Sequence, residues 1–156
     1  FPYTHPASVR TFCVAVNEGE LYLITAGGEG IIRTWKFNSV AGTFEALAVL
    51  EGHIRGVTSL VLIGGNLWSG SIDRSLRCWD VATGVCVGVL TSSNGGHAEP
   101  ITCLEKILMD DTPTAVTYLA SGGSDGEVVI WNTATGTKEW NGSHGEVITS
   151  LLFTQD

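Results

Sequence analysis

One phrase occurs three times along this chain, and each copy leads to a tryptophan. The copies are AGGEGIIRTWKF, SGSIDRSLRCWDV and SGGSDGEVVIWNT, and their tryptophans are 44 and 52 residues apart. An acid stands six residues before each tryptophan, a hydroxyl residue ten before it, and a histidine lies further upstream. Spacing of this length is typical of a repeat architecture. The recurring residues are His5, Thr25, Glu29 and Trp35, then His53, Ser69, Asp73 and Trp79, then His97, Ser121, Asp125 and Trp131.

Within each repeat the pattern predicts short strands. Ser59–Ile63 and Leu67–Ser71 flank Gly64-Gly65-Asn66, which is typical of a tight hairpin turn. Leu76–Asp80 follows as a third strand, and Ala82-Thr83-Gly84 turns the chain into a fourth. Each unit is therefore predicted to be a four-stranded antiparallel meander, and the chain to be all-β.

These repeats resemble the WD-repeat family. The resemblance is carried by Gly52-His53, Ser69-Gly70-Ser71-x-Asp73 and Trp79-Asp80, in that order and spacing. It implies a β-propeller with one blade per repeat, so this chain would be a partial propeller of about three and a half blades out of about seven. Three residues depart from the signature: Glu29, Lys36 and Asn132.

The resemblance also divides the chain. The predicted parts are blade one at 1–50, blade two at 51–90, blade three at 91–141 with an acidic insertion near 105–118, and the first strand of a fourth blade at 142–156. A fourth histidine, His144, precedes that strand, with Val147 three residues later as its first β-branched residue. An open arc leaves unpaired strands and end faces in water, and the chain does not start with methionine, so we expect it to be part of a larger propeller.

By the same resemblance, the four recurring side chains of each repeat form a hydrogen-bonded tetrad. It runs from the indole N–H through the hydroxyl and the imidazole to the carboxylate. A buried polar group without its partner costs roughly 1 to 3 kcal/mol, so the tetrad is expected to be a structural clasp. A serine–histidine–aspartate catalytic set is the alternative, but an enzyme needs one such set and this chain repeats it. No catalytic residue, metal-ligand set or cofactor site is predicted, since the cysteines and histidines lack ligand spacing.

Charge and hydropathy limit the partners. The chain has 16 acids, 8 bases and a formal net charge of -8. Phosphate binding needs clustered positive charge, so direct nucleic-acid binding is not expected and a basic protein partner is favoured. No apolar run approaches the roughly 18 residues of a membrane helix. The spacing of the four cysteines favours reduced thiols, and hence the cytoplasm or nucleus.

Candidate partner-binding residues follow from the resemblance. In WD-repeat propellers, the loop with the histidine and the turn with the acid lie on one rim, which is often the recognition face. In this chain that rim would hold Arg55, Ile72, Arg74 and Glu99. Arginine is favoured at binding hot spots, whereas the alternative for Arg55 and Arg74 is a solvated surface charge.

The function implied by the resemblance is a non-enzymatic scaffold for protein–protein interaction. Two alternatives stay open. The chain also resembles plant-type proteins that join a CCCH zinc finger to WD repeats. This resemblance is carried by KFNSVAGTFEALAVLEGH together with GGNLWSGSIDRSLRCWDVATGVCVGVL. It would make this an RNA-associated protein whose finger lies outside these residues. The other is a substrate receptor of a ubiquitin ligase. Flanking sequence separates them, through a finger with three cysteines and one histidine in the first case and an F-box in the second.

Overall fold

A computed structural model describes residues 5–17, 19–108 and 117–154. Apart from one 3-10 turn at Ser92–Asn94, every regular element in these ranges is a β-strand, which confirms the all-β prediction. The strands are β1 Val9–Asn17, β2 Glu20–Gly27, β3 Ile32–Asn38, β4 Thr43–Leu50, β5 Val57–Ile63, β6 Asn66–Ser71, β7 Leu76–Asp80, β8 Cys86–Leu90, β9 Ile101–Leu108, β10 Thr117–Gly123, β11 Glu127–Asn132 and β12 Thr137–Ser143.

These strands form three separate four-stranded sheets, in which each strand pairs antiparallel with the next. We call β1–β4 blade one, β5–β8 blade two and β9–β12 blade three. The hairpin between β5 and β6 turns at Gly64, whose φ of 56° is a left-handed conformation that glycine adopts without strain. Three antiparallel meanders in sequence order are the architecture of a partial WD propeller.

The core lies between the sheets. One apolar cluster joins blades one and two and contains Trp79, while the other joins blades two and three and contains Trp131. Trp79 and Trp131 are each at most 1% exposed, and each packs toward the preceding blade. Trp35 has no preceding blade among the described residues and is only partly buried.

A glycine and a threonine bring neighbouring blades together. A Cβ atom added to Gly70 would lie 2.6 Å from Cγ2 of Ile101, so blade three can approach this closely only because blade two has glycine there. The Thr58 hydroxyl lies 2.9 Å from the Gly70 carbonyl oxygen and 2.7 Å from that of Ile101, and so bridges the two blades.

The segment 144–154 repeats this contact on blade three. It pairs with no strand of the described residues. Ile148 donates its N–H to the Gly123 carbonyl at 3.1 Å, and the Thr102 hydroxyl bonds to the Ile148 carbonyl. A Cβ at Gly122 would meet Ile148 at 2.5 Å. Ile148, four residues after His144, therefore occupies the position that sequence reasoning gave to Val147. That the segment starts a fourth blade stays a prediction.

Both ends of the predicted insertion near 105–118 form part of β-strands, β9 at one end and β10 at the other. Glu105 to Leu108 continue β9 and pair with the start of β10, where Leu108 lies opposite Thr117. The ladder is one pair longer than that of the blade-two hairpin, because Ile107–Tyr118 corresponds to Ile63–Asn66 and Leu108–Thr117 adds a further pair. Residues 109–116, which include the two central aspartates of the predicted acidic loop, lie outside the described residues.

Candidate functional site: the tetrads and the rim they support

The tetrad of blade two is a continuous hydrogen-bonded chain. Trp79 donates its indole N–H to Ser69 Oγ at 2.9 Å, and Ser69 Oγ lies 2.7 Å from Nε2 of His53. On the other side of the ring, Nδ1 of His53 lies 2.8 Å from Asp73 Oδ2. Because the indole can only donate, the serine proton is free for Nε2, and Nδ1–H is left to donate to the carboxylate.

Asp73 ends this chain and also organises the loop around it. Its carboxylate accepts the Ile54 N–H at 3.1 Å, the Ser75 N–H at 2.9 Å and the Ser75 hydroxyl at 2.6 Å. Burial tends to raise the pKa of Asp73, but the hydrogen bonds from His53 and Ser75 outweigh it and hold that pKa well below the usual range. The charged carboxylate therefore fixes the histidine loop against the turn at Asp73.

Blade three has the same arrangement. Trp131 donates to Ser121 at 2.9 Å, and His97 bridges Ser121 at 2.8 Å and Asp125 at 3.0 Å. Asp125 also accepts the Ala98 N–H at 3.0 Å. Burial again tends to raise the pKa of Asp125, and hydrogen bonds from His97 and the backbone lower it below its usual value.

Blade one brings together its four predicted residues and adds a fifth. His5 lies 2.8 Å from Thr25 Oγ1 and 2.5 Å from Glu29 Oε1, and Trp35 donates to Thr25 at 2.8 Å. Arg33 donates to Glu29 at 2.6 Å, and its Nη1 lies 2.8 Å from Nδ1 of His5. The longer glutamate is thus held by a cation that blades two and three do not use.

Two side chains that bond to the tetrad acids were not predicted from the sequence. Arg33 stands four residues after Glu29, and Ser75 two residues after Asp73, but neither belongs to the repeated signature. Arg33 has an arginine counterpart in blade two, Arg77, which donates to Cys86 Sγ and not to the tetrad acid, whereas blade three has Val129 there. Ser75 stands where blades one and three have Ile31 and Glu127.

The tetrad hydroxyls of blades two and three are closed to substrate. Ser69 and Ser121 are both 0% exposed, and each Oγ already accepts an indole N–H. A nucleophile must reach the atom that it attacks, so this geometry suits a clasp and not acyl transfer. In the described ranges, no three His, Cys, Asp or Glu side chains gather as a metal site requires.

We name the loops and turns that these carboxylates hold together the histidine rim, which comprises residues 27–30, 52–56, 72–74, 96–100 and 124–126. Arg55, Arg74 and Glu99 are exposed there and Ile72 is half-buried. Backbone bonds link the rim segments, since Ile72 N–H donates to the Gly56 carbonyl at 2.9 Å. Arg74 crosses to the next blade, where its Nη1 donates to the Ala98 carbonyl at 3.0 Å.

Comparison with known proteins gives the family. The family model "WD domain, G-beta repeat" matches residues 44–80 and 84–132, which together are more than half of the chain. The chain belongs to the WD-repeat family. The matched ranges contain the tetrads of blades two and three, whereas blade one lies mostly outside them.

Several curated proteins with different names are similar to this chain. Mitochondrial division protein 1 of Candida glabrata is 28% identical over 96% of this chain, which covers 24% of that protein. WD repeat-containing protein pop2 of Schizosaccharomyces pombe is 31% identical over 74% of the chain, or 16% of its own length. Zinc finger CCCH domain-containing protein 17 of Oryza sativa is 37% identical over 52% of the chain and is covered over 19%. The chain thus spans a quarter or less of these relatives.

No helix among the residues that the structure describes is long and apolar enough to cross a bilayer.

Proposed function

We propose that this chain presents its histidine rim to protein partners as a non-enzymatic scaffold. One observation carries the proposal: the backbone of the rim is fixed while its side chains are exposed. The Ile54 N–H is bound by Asp73, and the Ser71 hydroxyl donates to the Arg55 carbonyl at 3.1 Å, yet both side chains at 54 and 55 are in solvent. A surface that is ordered before binding loses little conformational entropy on association.

The acidic residues of blade three favour a partner with a basic segment on that side. Residues 91–156 contain nine acids and two bases, and on the rim side of blade three Glu99 and Glu146 are both exposed. A basic segment of the partner is favoured over this blade, because opposite charges guide the orientation of docking. The four cysteines are free thiols, which supports an intracellular location, in the cytoplasm or the nucleus.

Photo-crosslinking tests the proposal. A benzoylphenylalanine would replace Ile54 or Glu99 on the histidine rim, with Ala82 on the opposite rim as the matched exposed control. We expect a discrete protein to be cross-linked in cells from positions 54 and 99 and not from 82. Equal cross-linking from all three positions, or none from the rim, would contradict the proposal.

A second candidate function rests on the rice relative, whose printed name includes a CCCH zinc finger. In that case a finger outside these residues would contact RNA and the rim would recruit proteins. Sequencing the flanks of the native protein tests it: a segment with three cysteines and one histidine is expected, and its absence would reject this candidate. A ubiquitin-ligase receptor stays a prediction, which an adjoining F-box would support.

A further inference from the structure

Blade two carries three exposed side chains and one half-buried side chain on the rim, which we call the blade-two patch: Ile54, Arg55 and Arg74 are exposed, and Ile72 is half-buried. Ile54 is 84% exposed, although isoleucine is ordinarily buried, and its own N–H is tied to Asp73 at 3.1 Å. An immobile backbone thus holds an apolar side chain in water, next to Arg55 in the chain and on a loop bonded to the turn that carries Arg74. This arrangement is typical of a binding anchor with charged neighbours.

Arg74 adopts a left-handed backbone conformation that blades one and three give to glycine. Its φ is 73°, and no other non-glycine residue in the described ranges has a positive φ. Gly30 and Gly126 occupy the same position in blades one and three, with φ of 82° and 76°. Arginine there carries backbone strain that glycine avoids, so this side chain is present at the expense of local stability.

The guanidinium of Arg74 is also fixed. Its Nη1 donates to the Ala98 carbonyl at 3.0 Å, which uses one of the five N–H donors and leaves the others toward solvent. The side chain of Arg55 is exposed and makes no hydrogen bond or ion pair with any described residue. The loop and the turn that the Ile54–Asp73 bond joins therefore expose two cationic side chains and one apolar side chain.

The nearby carboxylates do not satisfy these arginines. Asp73 points inward and already accepts bonds from His53, Ile54 and Ser75, and its side chain is 4% exposed. Glu99 is exposed next to Ala98 but forms no ion pair with Arg74. The blade-two patch is therefore locally cationic, although the chain as a whole has a formal net charge of -8.

From this geometry we propose that the blade-two patch binds an acidic peptide segment of a protein partner, with an apolar side chain on Ile54 and carboxylates on Arg55 and Arg74. The inference rests on the proposed function and specifies its chemistry at blade two, beside the basic segment favoured at blade three. A nucleic acid is the less suitable ligand, because two arginines without an exposed aromatic neighbour supply neither a phosphate track nor a base-stacking platform.

The experiment is a peptide-display selection on the full chain with random twelve-residue peptides. Recovered peptides would be measured by fluorescence anisotropy against wild type, Arg55→Gln, Arg74→Gly, Glu99→Gln and Lys106→Gln. Arg74→Gly restores the residue of the other two blades, so the turn should be kept. Lys106→Gln is the matched control, because it removes one exposed cation from β9, away from the rim.

We expect selected peptides that combine Asp or Glu with an apolar residue, and affinities that fall as salt is raised. Arg55→Gln and Arg74→Gly should each weaken binding about fivefold or more, Glu99→Gln should strengthen it about twofold, and Lys106→Gln should leave it unchanged. Selection of basic or neutral peptides that still need Arg55 and Arg74 would overturn the acidic chemistry and leave the rim as the interaction surface.

Other outcomes reject the inference in distinguishable ways. Recovery of no peptide, or of peptides that bind the arginine variants as well as wild type, would overturn it, and the cross-linking experiment would then judge the scaffold proposal separately. A twelve-nucleotide single-stranded RNA probe that bound more tightly than the peptides, and lost binding in Arg55→Gln, would overturn it in favour of nucleic acid.

Discussion

The three tetrads differ chiefly in their access to water. Ser69 is fully buried, so replacing it by alanine would leave the Trp79 N–H and a nitrogen of His53 without partners in the core. We expect Ser69→Ala to lower the free energy of unfolding by about 1 to 3 kcal/mol. Thr25→Val removes the same hydroxyl from the tetrad of blade one, whose members are less completely buried, so water can replace it more readily and the loss should be smaller. Urea unfolding measures both, and equal losses would contradict this difference in burial.

Acid should weaken the same tetrads. The pKa values of Asp73 and Asp125 lie below the usual aspartate value of about 3.9, so their contribution is complete above that pH and is lost as pH falls through the folded-state values. We expect the free energy of unfolding to fall below about pH 4, and to fall less steeply in Asp73→Asn. Denaturant titrations between pH 6 and 2.5 would show this, with Glu99→Gln as the exposed control. Parallel curves for wild type and Asp73→Asn would rule it out.

At the residue scale, the sequence predicted the repeated positions and missed the single exceptions. The hydroxyl, histidine, acid and tryptophan recur at related spacings, and the structure brings each set within hydrogen-bonding distance. Ser75 occurs once, and Arg33 recurs only as Arg77, which bonds to Cys86 and not to Asp73, so the repeat pattern does not mark either residue as part of a tetrad. Their roles depend on the length of Glu29 and on the turn at Asp73, which only a three-dimensional arrangement reveals.

Contact between blades depends on glycine at the points of closest approach. Gly70→Ala would place a methyl group 2.6 Å from Ile101 Cγ2. Overpacking of this kind costs typically about 1 to 3 kcal/mol, so we expect a clear loss of stability. Gly65→Ala is the matched control, since nothing lies within 4 Å of its added Cβ. Thermal unfolding compares the two variants, and a loss at Gly65 as large as that at Gly70 would refute the steric argument.

The threonine bridges make a second test of contact between blades. Thr58→Val keeps the side-chain shape but removes the hydroxyl that lies 2.7 Å from the Ile101 carbonyl. We expect a loss of about 1 kcal/mol and faster amide exchange at the start of β9. Thr137→Val, on the exposed strand β12, should change neither. Unaltered exchange in β9 of Thr58→Val would show that the bridge contributes nothing.

Strand type was easier to predict than strand ends. Alternating residues and glycine turns indicated each hairpin, but the ends of β9 and β10 depend on pairing across a ladder that runs past the blade-two length. The contact of Ile148 was missed for a related reason. Spacing from His144 alone cannot choose between Val147 and Ile148, whereas the glycine at 122 accepts only the side chain that points toward it.

At the scale of the whole molecule, blade one presents an apolar face. Phe12, Val14 and Val16 alternate along β1 and are 66%, 54% and 71% exposed, on the side opposite Cys13, which packs toward blade two. Trp35 is also only partly buried. In blades two and three the tryptophan packs on a preceding blade. We therefore predict that another blade covers this face in the native protein and closes a larger ring.

Native mass tests that closure. A ring of seven blades with about 44 residues each is roughly 34 kDa, against 16.5 kDa for this chain. Captured with an antibody against residues 137–156, the native protein should therefore have a mass of at least that value, in one chain or in several.

If it comprises several chains, Val14→Glu together with Val16→Glu should reduce the mass, since charged side chains cannot be buried unpaired between blades. If it is one chain, the same pair should instead lower its unfolding temperature. Val40→Glu, at a position that is 98% exposed, should do neither. A native mass near 16.5 kDa with no effect of the paired substitution would show that blade one needs no cover.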